Sequence, residues 1–308
     1  MKVYRHLDEF QKVTNAVVTI GTFDGVHMGH RKIISRLTEV AREIEGESVI
    51  LTFFPHPRMI INPEDVNLKL ITTINEKAEL LEKLGVDHLI ITPFTRDFSN
   101  LSAETYIRQI LVDKIGTRKI IIGYDHHFGK DRAGNLRVLQ NFSAEYNYEV
   151  EEIPEEDIHN VAVSSTQIRK ALIKGDVQTA NDFLGYPFSL YGQVIKGDQL
   201  GRTLGFPTAN LLVEENYKLI PGDGIYAVKV KHQTDVYNGM AYIGNRPTIN
   251  GMSRNIEVNI FDFAQDIYRQ YISVEFIHFI RADIRFDDIE ALKLQISNDK
   301  QAALALLS

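Results

Sequence analysis

Apolar positions along this chain follow two rhythms, and the change from one to the other divides it. Through roughly the first 185 residues, short continuous apolar runs alternate with stretches whose apolar residues recur at helical spacing. The runs AVVTIG (16–21), SVILTFF (48–54), DHLIITPF (87–94), RKIIIG (118–123) and YEVEEIP (148–154) predict strands. Between them, HRKIISRLTEVAREI (30–44) places Ile33, Leu37, Val40, Ala41 and Ile44 on one helical face. NEKAELLEKLG (75–85) reads as a helix stopped by Gly85, SAETYIRQILVDKIG (102–116) as another, and a further helix falls around 135–146. Apolar strands separated by amphipathic helices predict an α/β domain with a parallel sheet covered on both faces.

The stretch 155–185 is helical in pattern. Within it SSTQ (164–167) fits a capping box, with Ser164 as the cap and Gln167 at the third helical position. From SLYGQVIKG (189–197) onward the period becomes two. IYAVKVKH (225–232) alternates Tyr226, Val228 and Val230 against Ala227, Lys229 and Lys231. In YISVEFIHFI (271–280), Ile272, Val274, Phe276 and Ile280 can share a face. This patterning, punctuated by Gly and Pro, predicts an antiparallel sheet or small barrel. DDIEALKLQISNDKQAALALL (287–307) closes the chain as an amphipathic helix. The expected boundary lies near 186–188, at GYPF, giving domains 1–186 and 187–308.

Bulk properties narrow the classes of function. A chain of 308 residues is long for one domain and comfortable for two. Its formal net charge of −7 offers no general reason for nucleic-acid binding. Cysteine is absent, which excludes disulfides, zinc–thiolate sites and cysteine nucleophiles. The opening MKVYRHLDEFQKV lacks the apolar core of a secretory signal, and no apolar run approaches the ~18 residues of a membrane span, so a cytoplasmic, soluble protein is expected. The oligomeric state is not legible.

The densest chemistry lies in GTFDGVHMGH (21–30), where the first strand gives way to a helix. Gly21 and Gly25 allow a tight turn, and Gly29 allows close approach of a ligand. In an open parallel sheet, ligands bind beyond the carboxyl ends of the strands, and a helix start presents unpaired N–H groups to an anion. His27 and His30, one turn apart, can add donors to phosphate oxygens. Two histidines at this spacing can also hold a metal, but zinc sites usually want a third ligand, and the H-E-x-x-H of a zincin is absent.

H-x-G-H is the signature of the nucleotidyltransferase superfamily with a Rossmann-like fold. With Phe23 and Asp24 before it, the version here resembles the bacterial bifunctional riboflavin kinase/FMN adenylyltransferase family, also called FAD synthetase. TFFPHP (52–57) resembles the family's second block, and its Phe54, Pro55 and Pro57 form a stiff apolar wall to which His56 adds a polar group, suited to a flat ring. Taken alone it reads as a packed proline turn. FSNLSAETYI (98–107) also matches, although by itself it is only a capped helix. GYDHHFGKDRAG (123–134) corresponds to the family's glycine- and aromatic-rich loop, with Asp125 where the family carries Asp or Asn. His126–His127 replaces the commoner aromatic–basic pair there and receives no role. VSSTQIRKAL (163–172) resembles the family's S-S-T-x-I-R, which implies that Ser165, Thr166 and Arg169 bind ATP phosphates.

The C-terminal half carries GDQLGRTLGFPTANL (197–211), which is not a Walker A loop. Thr208 and Asn210 project to the same side of an extended segment, where both can meet a Mg²⁺ ion and its phosphates. G-F-P-T-A-N is specific to the riboflavin kinase family, which implies that Gly197, Gly205, Phe206, Pro207, Thr208 and Asn210 bind ATP and riboflavin. PGDGIYAV (221–228), AYIGNRPTI (241–249) and IEVNIFDF (256–263) continue the resemblance in order, and Glu257 aligns with the kinase's catalytic glutamate. Without the resemblance, one Glu in an alternating strand reads as a solvated face. Asn259 stands where relatives often carry His, and Arg269 follows Tyr268 where they often carry Gly.

The resemblance therefore implies an N-terminal Rossmann-like adenylyltransferase and a C-terminal riboflavin kinase barrel with a terminal helix. The implied substrates are ATP, riboflavin and FMN, with Mg²⁺, and no nucleic-acid or membrane partner is expected. Two other readings remain open from the residues: transfer to a different phosphorylated acceptor with the barrel as a specificity module, and a flavin or nucleotide sensor. The glycine-bearing loop 197–207 is a candidate lid.

Overall fold

A computed structural model describes residues 1–64, 68–154, 163–197, 200–244 and 254–308. Residues 155–162 of the helical stretch, 198–199 of the 197–207 loop and 245–249 of AYIGNRPTI lie outside the described residues.

Six strands form the N-terminal sheet: β1 (Lys2–Tyr4), β2 (Ala16–Ile20), β3 (Ser48–Phe53), β4 (His88–Thr92), β5 (Thr117–Gly123) and β6 (Glu149–Ile153). They pair in the order β1-β4-β3-β2-β5-β6, every pair parallel. The central strands are buried at every position because helices cover both faces. The apolar stripe of α1 (Met28–Glu43) runs through Ile34, Leu37, Thr38, Val40 and Ala41. Ile33 and Ile44, expected in that stripe, flank it half-buried. The helix turns its Ile34 side most directly to the sheet, a difference of one position that helical spacing alone does not resolve.

A short helix, α2 (Pro57–Ile61), follows β3, and α3 (Ile74–Lys83) starts at a capping box between Thr73 and Glu76. After α4 (Arg96–Ser99), α5 (Ala103–Tyr106) is capped by Ser102 and continues as a π-helical stretch, Ile107–Ile115, ended by left-handed Gly116. α6 (Leu136–Tyr146) leads into β6. The edge strand β1 went unpredicted, since three residues are too short to show a period.

The C-terminal sheet is a closed barrel, ordered β10-β11-β8-β7-β12-β9. Its strands are β7 (Ser189–Ile195), β8 (Ala209–Leu212), β9 (Gly224–His232), β10 (Asp235–Gly244), β11 (Asn255–Ile260) and β12 (Tyr271–Arg281), all antiparallel to their neighbours. Tyr226, Val228, Val230, Val274 and Phe276 fill the interior as the alternation implies. Two expectations change. Ala227, predicted to face outward, is fully buried, clustered with Met240, Phe261 and Ala303 of the terminal helix. Ile280 joins that same cluster rather than sharing a face with Phe276. Register shifts between Phe276 and His278 and between Phe279 and Arg281 break the alternation of β12, so Phe279 turns to Tyr226, with ring centroids 5.3 Å apart.

The chain divides into two compact units, Met1–Ser165 and Thr166–Ser308. The boundary expected at 186–188 marks the start of the first barrel strand. The two preceding helices, α7 (Ser165–Ile173) and α8 (Val177–Leu184), bond to the barrel. Asn181 donates to the Phe276 carbonyl at 2.8 Å and accepts from the Phe188 N–H at 2.7 Å, and the Gly222 N–H donates to Leu172 at 2.8 Å.

The terminal helix, α9 (Ile289–Leu307), starts at an Asp288 cap and is tied to β12 by a buried ion pair. Arg281 Nε and Nη2 meet Asp299 at 2.8 and 2.7 Å, and Gln295 donates to the same carboxylate at 2.8 Å. Asp299→Ala is expected to destabilise the C-terminal unit by about 3 kcal/mol, because it strands the partly buried Arg281 guanidinium. Denaturant unfolding followed by near-ultraviolet circular dichroism checks this, and an unchanged midpoint would show that the pair contributes nothing net. No described helix is long and apolar enough to cross a membrane.

Candidate active sites

Three adjacent parallel strands, β3, β2 and β5, carry the predicted N-terminal residues to one edge of the sheet, their carboxyl ends. The turn after β2 starts at Gly21, whose N–H still pairs with the Leu51 carbonyl at 3.1 Å. The backbone then bends sharply through positive φ at Phe23, Gly25 and Val26. Of these only Gly25, at φ 84°, takes that conformation without strain.

His27 caps α1, with its Nδ1 accepting the His30 N–H at 3.4 Å. That bond leaves the His27 proton on Nε2, which is then a donor. The two imidazoles stack at 3.6 Å between centroids and 17° between planes, and Phe23 meets His30 edge-on at 5.1 Å. Burial pushes His30 well below its ordinary value, and the nearby His27 and Lys77 push the same way. His30 is therefore neutral at physiological pH, and its Nδ1 is buried without a hydrogen-bond partner. Gly29 is buried in the first turn of the helix.

Asp24 lies beneath the turn, 1% exposed. Its carboxylate accepts the N–H groups of Ile71 at 3.0 Å and Thr72 at 3.2 Å, while the Gly25 N–H donates to the Thr72 hydroxyl at 3.1 Å. The side chain thus clamps the turn from below. The Ser165 hydroxyl donates to the Asp24 carbonyl at 3.0 Å. Thr166 is exposed and Arg169 half-buried, both in α7.

At the end of β3, His56 caps α2 through its Nδ1, which accepts the Arg58 N–H at 3.2 Å, with Pro57 in the first helical position. Phe54 is half-buried. Asp125, beyond β5, is exposed. Aromatic rings link this edge to the FSNLSAETYI block: Phe53–Phe98 at 5.4 Å, Phe98–Tyr106 at 5.8 Å and Tyr106–Phe128 at 5.2 Å. Tyr106 Oη and His126 Nε2 are both buried without a hydrogen-bond partner. Burial pushes the Tyr106 phenol up and His126 down to about 4, with His127 and Arg132 adding to the latter. Both rings pack on Phe128, Tyr106 from the end of α5 and His126 from the loop after β5, and this burial has no local sequence signal.

In the barrel, Glu257 on β11 sits directly across from Asn210 on β8. Thr208 Oγ1 donates to its Oε2 at 3.3 Å and Asn255 Nδ2 to its Oε1 at 2.7 Å. This carboxylate lines a cavity of about 400 Å³ whose apolar wall includes Met240, Phe286, Leu292 and Ile296. Phe206 and Thr208 line it too. Pro207 is exposed, and Gly205 turns at φ 86°. Asn259, given no role by sequence reasoning, is buried and donates to the Pro207 carbonyl at 2.6 Å, locking the P-T-A-N strand.

Gly197 has no room for a side chain, since a Cβ there would collide with the Asn210 carboxamide. Gly197→Ala is expected to displace Asn210 and cut turnover at this site about 10-fold while leaving the N-terminal site unaffected. Steady-state kinetics of the two half-reactions would check this, and an unchanged rate would mean that Asn210 is not required where it stands.

No group of three or more His, Cys, Asp or Glu among the described residues could hold a metal by itself. Thr208, Asn210 and Glu257 are all oxygen donors, which fits Mg²⁺ held jointly with nucleotide phosphates rather than in a protein cage.

A turn-and-helix anion site at the carboxyl edge of a parallel sheet, followed by a closed barrel with a carboxylate-lined cavity, defines a two-domain nucleotide-handling transferase. Residues 9–167 match the FAD synthetase family model and residues 184–307 the riboflavin kinase family model. The chain is 38% identical to the bifunctional riboflavin kinase/FMN adenylyltransferase of Haemophilus influenzae, over 100% of both chains. It is 36% identical to that of Listeria monocytogenes, covering 98% of this chain and 95% of the relative, and 34% identical to that of Escherichia coli K12, covering 98% and 97%. It belongs to the bifunctional riboflavin kinase/FMN adenylyltransferase family. A Streptococcus pneumoniae crystal structure described as a macrolide-efflux protein has the same fold, with 31% identity, a TM-score of 0.88 and 98% coverage of each chain.

Proposed function

We propose that this chain makes FAD in two steps: it phosphorylates riboflavin to FMN, then adenylylates FMN. The observation that carries the reading is the placement of Glu257 in an apolar-walled cavity, with the Thr208 hydroxyl on its carboxylate. There the ribityl 5′-hydroxyl oxygen attacks the γ-phosphorus of ATP, Glu257 accepts the hydroxyl proton, and the bond to the ADP oxygen breaks. Thr208 and Asn210 would hold Mg²⁺ and the phosphates, and the ion supplies charge neutralisation on the triphosphate. Met240, Phe286 and Leu292 suit the flat flavin ring.

In the N-terminal unit, an FMN phosphate oxygen attacks the α-phosphorus of a second ATP and pyrophosphate leaves. FMN phosphate is already ionised at neutral pH, so the site needs positioning and charge stabilisation rather than a strong base. His27 donates through Nε2, His30 stands neutral beside it, and the Asp24-clamped turn offers backbone N–H groups. Phe54, His56, Pro57 and Asp125, at the ends of β3 and β5, are the proposed flavin side of this site. Ser165, Thr166 and Arg169 are proposed as further donors to ATP.

Chromatography of products tests the reading. Riboflavin with ATP and Mg²⁺ should give FMN and FAD, and FMN with ATP and Mg²⁺ should give FAD and pyrophosphate. No flavin product in either reaction, from folded protein, would overturn it.

A further inference from the structure

One buried cation has no part in the reactions as assigned above. Lys77, in α3, is 5% exposed, and an ammonium is rarely kept in such a place without a partner. Its Nζ donates to the Thr22 carbonyl at 2.6 Å. The Thr52 hydroxyl donates to that same carbonyl at 3.3 Å, so a neutral donor is already present and the carbonyl alone does not call for a charge. Successive groups of the turn are gripped from one segment: the Thr22 carbonyl by Lys77, the Asp24 carboxylate by Ile71 and Thr72, and the Gly25 N–H by Thr72. Burial lowers Lys77 to about 8, with Asp24 opposing, so the amine still carries its proton at neutral pH. That charge also acts on His30.

We propose that Lys77 is a positioning residue for adenylyl transfer: its ammonium fixes the Thr22 carbonyl where the turn begins and places a positive charge behind the His27–His30 pair. The proposal rests on the assignment of adenylyl transfer to this site and deepens it. Negative charge redistributes over the triphosphate as pyrophosphate leaves, and a cation fixed in a low-dielectric setting stabilises it without reorganising. The charged and titratable groups that interact with the ammonium are the Asp24 carboxylate from the turn and the His30 ring from the start of α1. On its own helix, Glu76 accepts from the Thr73 N–H at 2.8 Å.

The test uses the full chain carrying Lys77→Met, with far-ultraviolet circular dichroism and thermal unfolding as the reference for folding of the N-terminal unit and FMN formation from riboflavin as the reference for the barrel site. The turnover number for FAD formation should fall about 100-fold, a loss typical for a preorganised electrostatic group. KM for FMN and ATP should stay within about threefold, because the effect belongs to the transition state. FMN formation should be unchanged. In the wild type, FAD formation should decline as pH rises through about 8, where Lys77 loses its proton, and in Lys77→Arg that decline should move to higher pH. A Lys77→Met protein with wild-type turnover, or with a loss confined to KM, overturns the proposal. If the Met variant loses the N-terminal fold, the pH comparison decides, and a wild-type profile flat through that range overturns it. A wild-type protein that makes no FAD at all would overturn the adenylyl-transfer reading and the role of Lys77 together.

Discussion

Glu257→Gln should lower FMN formation from riboflavin about 10³-fold and leave the conversion of supplied FMN to FAD at its wild-type rate. Glutamine keeps the length and shape of the side chain but cannot take a proton from the attacking hydroxyl. The barrel holds the position rigidly: β11 pairs with β8 at Glu257–Asn210, and Thr208 and Asn255 each donate to one carboxylate oxygen. The substitution therefore removes a proton acceptor with little change in local packing, so KM for riboflavin should hardly move. The second reaction should be untouched because the sheet-edge residues proposed for it, His27 and His30 among them, belong to the other compact unit. Chromatographic rates for each half-reaction, measured on one preparation, provide the check. FMN formation within about tenfold of wild type would remove Glu257 from the role of base.

His30→Ala should give the converse result, a drop of about 10²–10³-fold in FAD formation with FMN formation preserved. His30 stacks on His27 at 3.6 Å and meets Phe23 at 5.1 Å, so its loss deletes one imidazole and loosens the other. Because burial and its neighbours keep His30 neutral, the loss is of a hydrogen-bonding ring rather than of a fixed charge. The deficit should therefore be similar at pH 7 and pH 8, which distinguishes this residue from Lys77, whose charge starts to be lost as pH rises towards about 8. Parallel assays of the two half-reactions at both pH values test this. Equal loss of both activities in a folded variant would contradict two separate sites.

Much of the molecule was legible before the structure. The apolar runs at 16–21, 48–54, 87–94 and 118–123 became the strands β2 to β5, because strands largely buried on both faces carry no alternation to confuse, and the run 148–154 became the edge strand β6. The helix stops at Gly85 and Gly116 held for an equally local reason, since each sits at positive φ. H-x-G-H and P-T-A-N marked the two candidate sites by residue type and spacing. The flaws in the reading arose where a partner distant in sequence decides. Ala227 looked solvent-facing until α9 covered it, and Ile280 changed faces because bulges in β12 offset its register.

By itself, then, the sequence determined which segments extend, which coil and where they turn, and it named the side chains proposed for each site. These are properties of neighbours a few residues apart, whose backbone preferences and periodicity act locally. Only the tertiary structure decided that Asp24 clamps its turn through residues 71 and 72, that Lys77 lies buried on the Thr22 carbonyl, and that Asn259 locks Pro207. Each of those contacts joins positions about fifty residues apart. Neither spacing nor composition encodes the burial that turns an ordinary lysine or carboxylate into part of a site, because burial depends on everything packed around it.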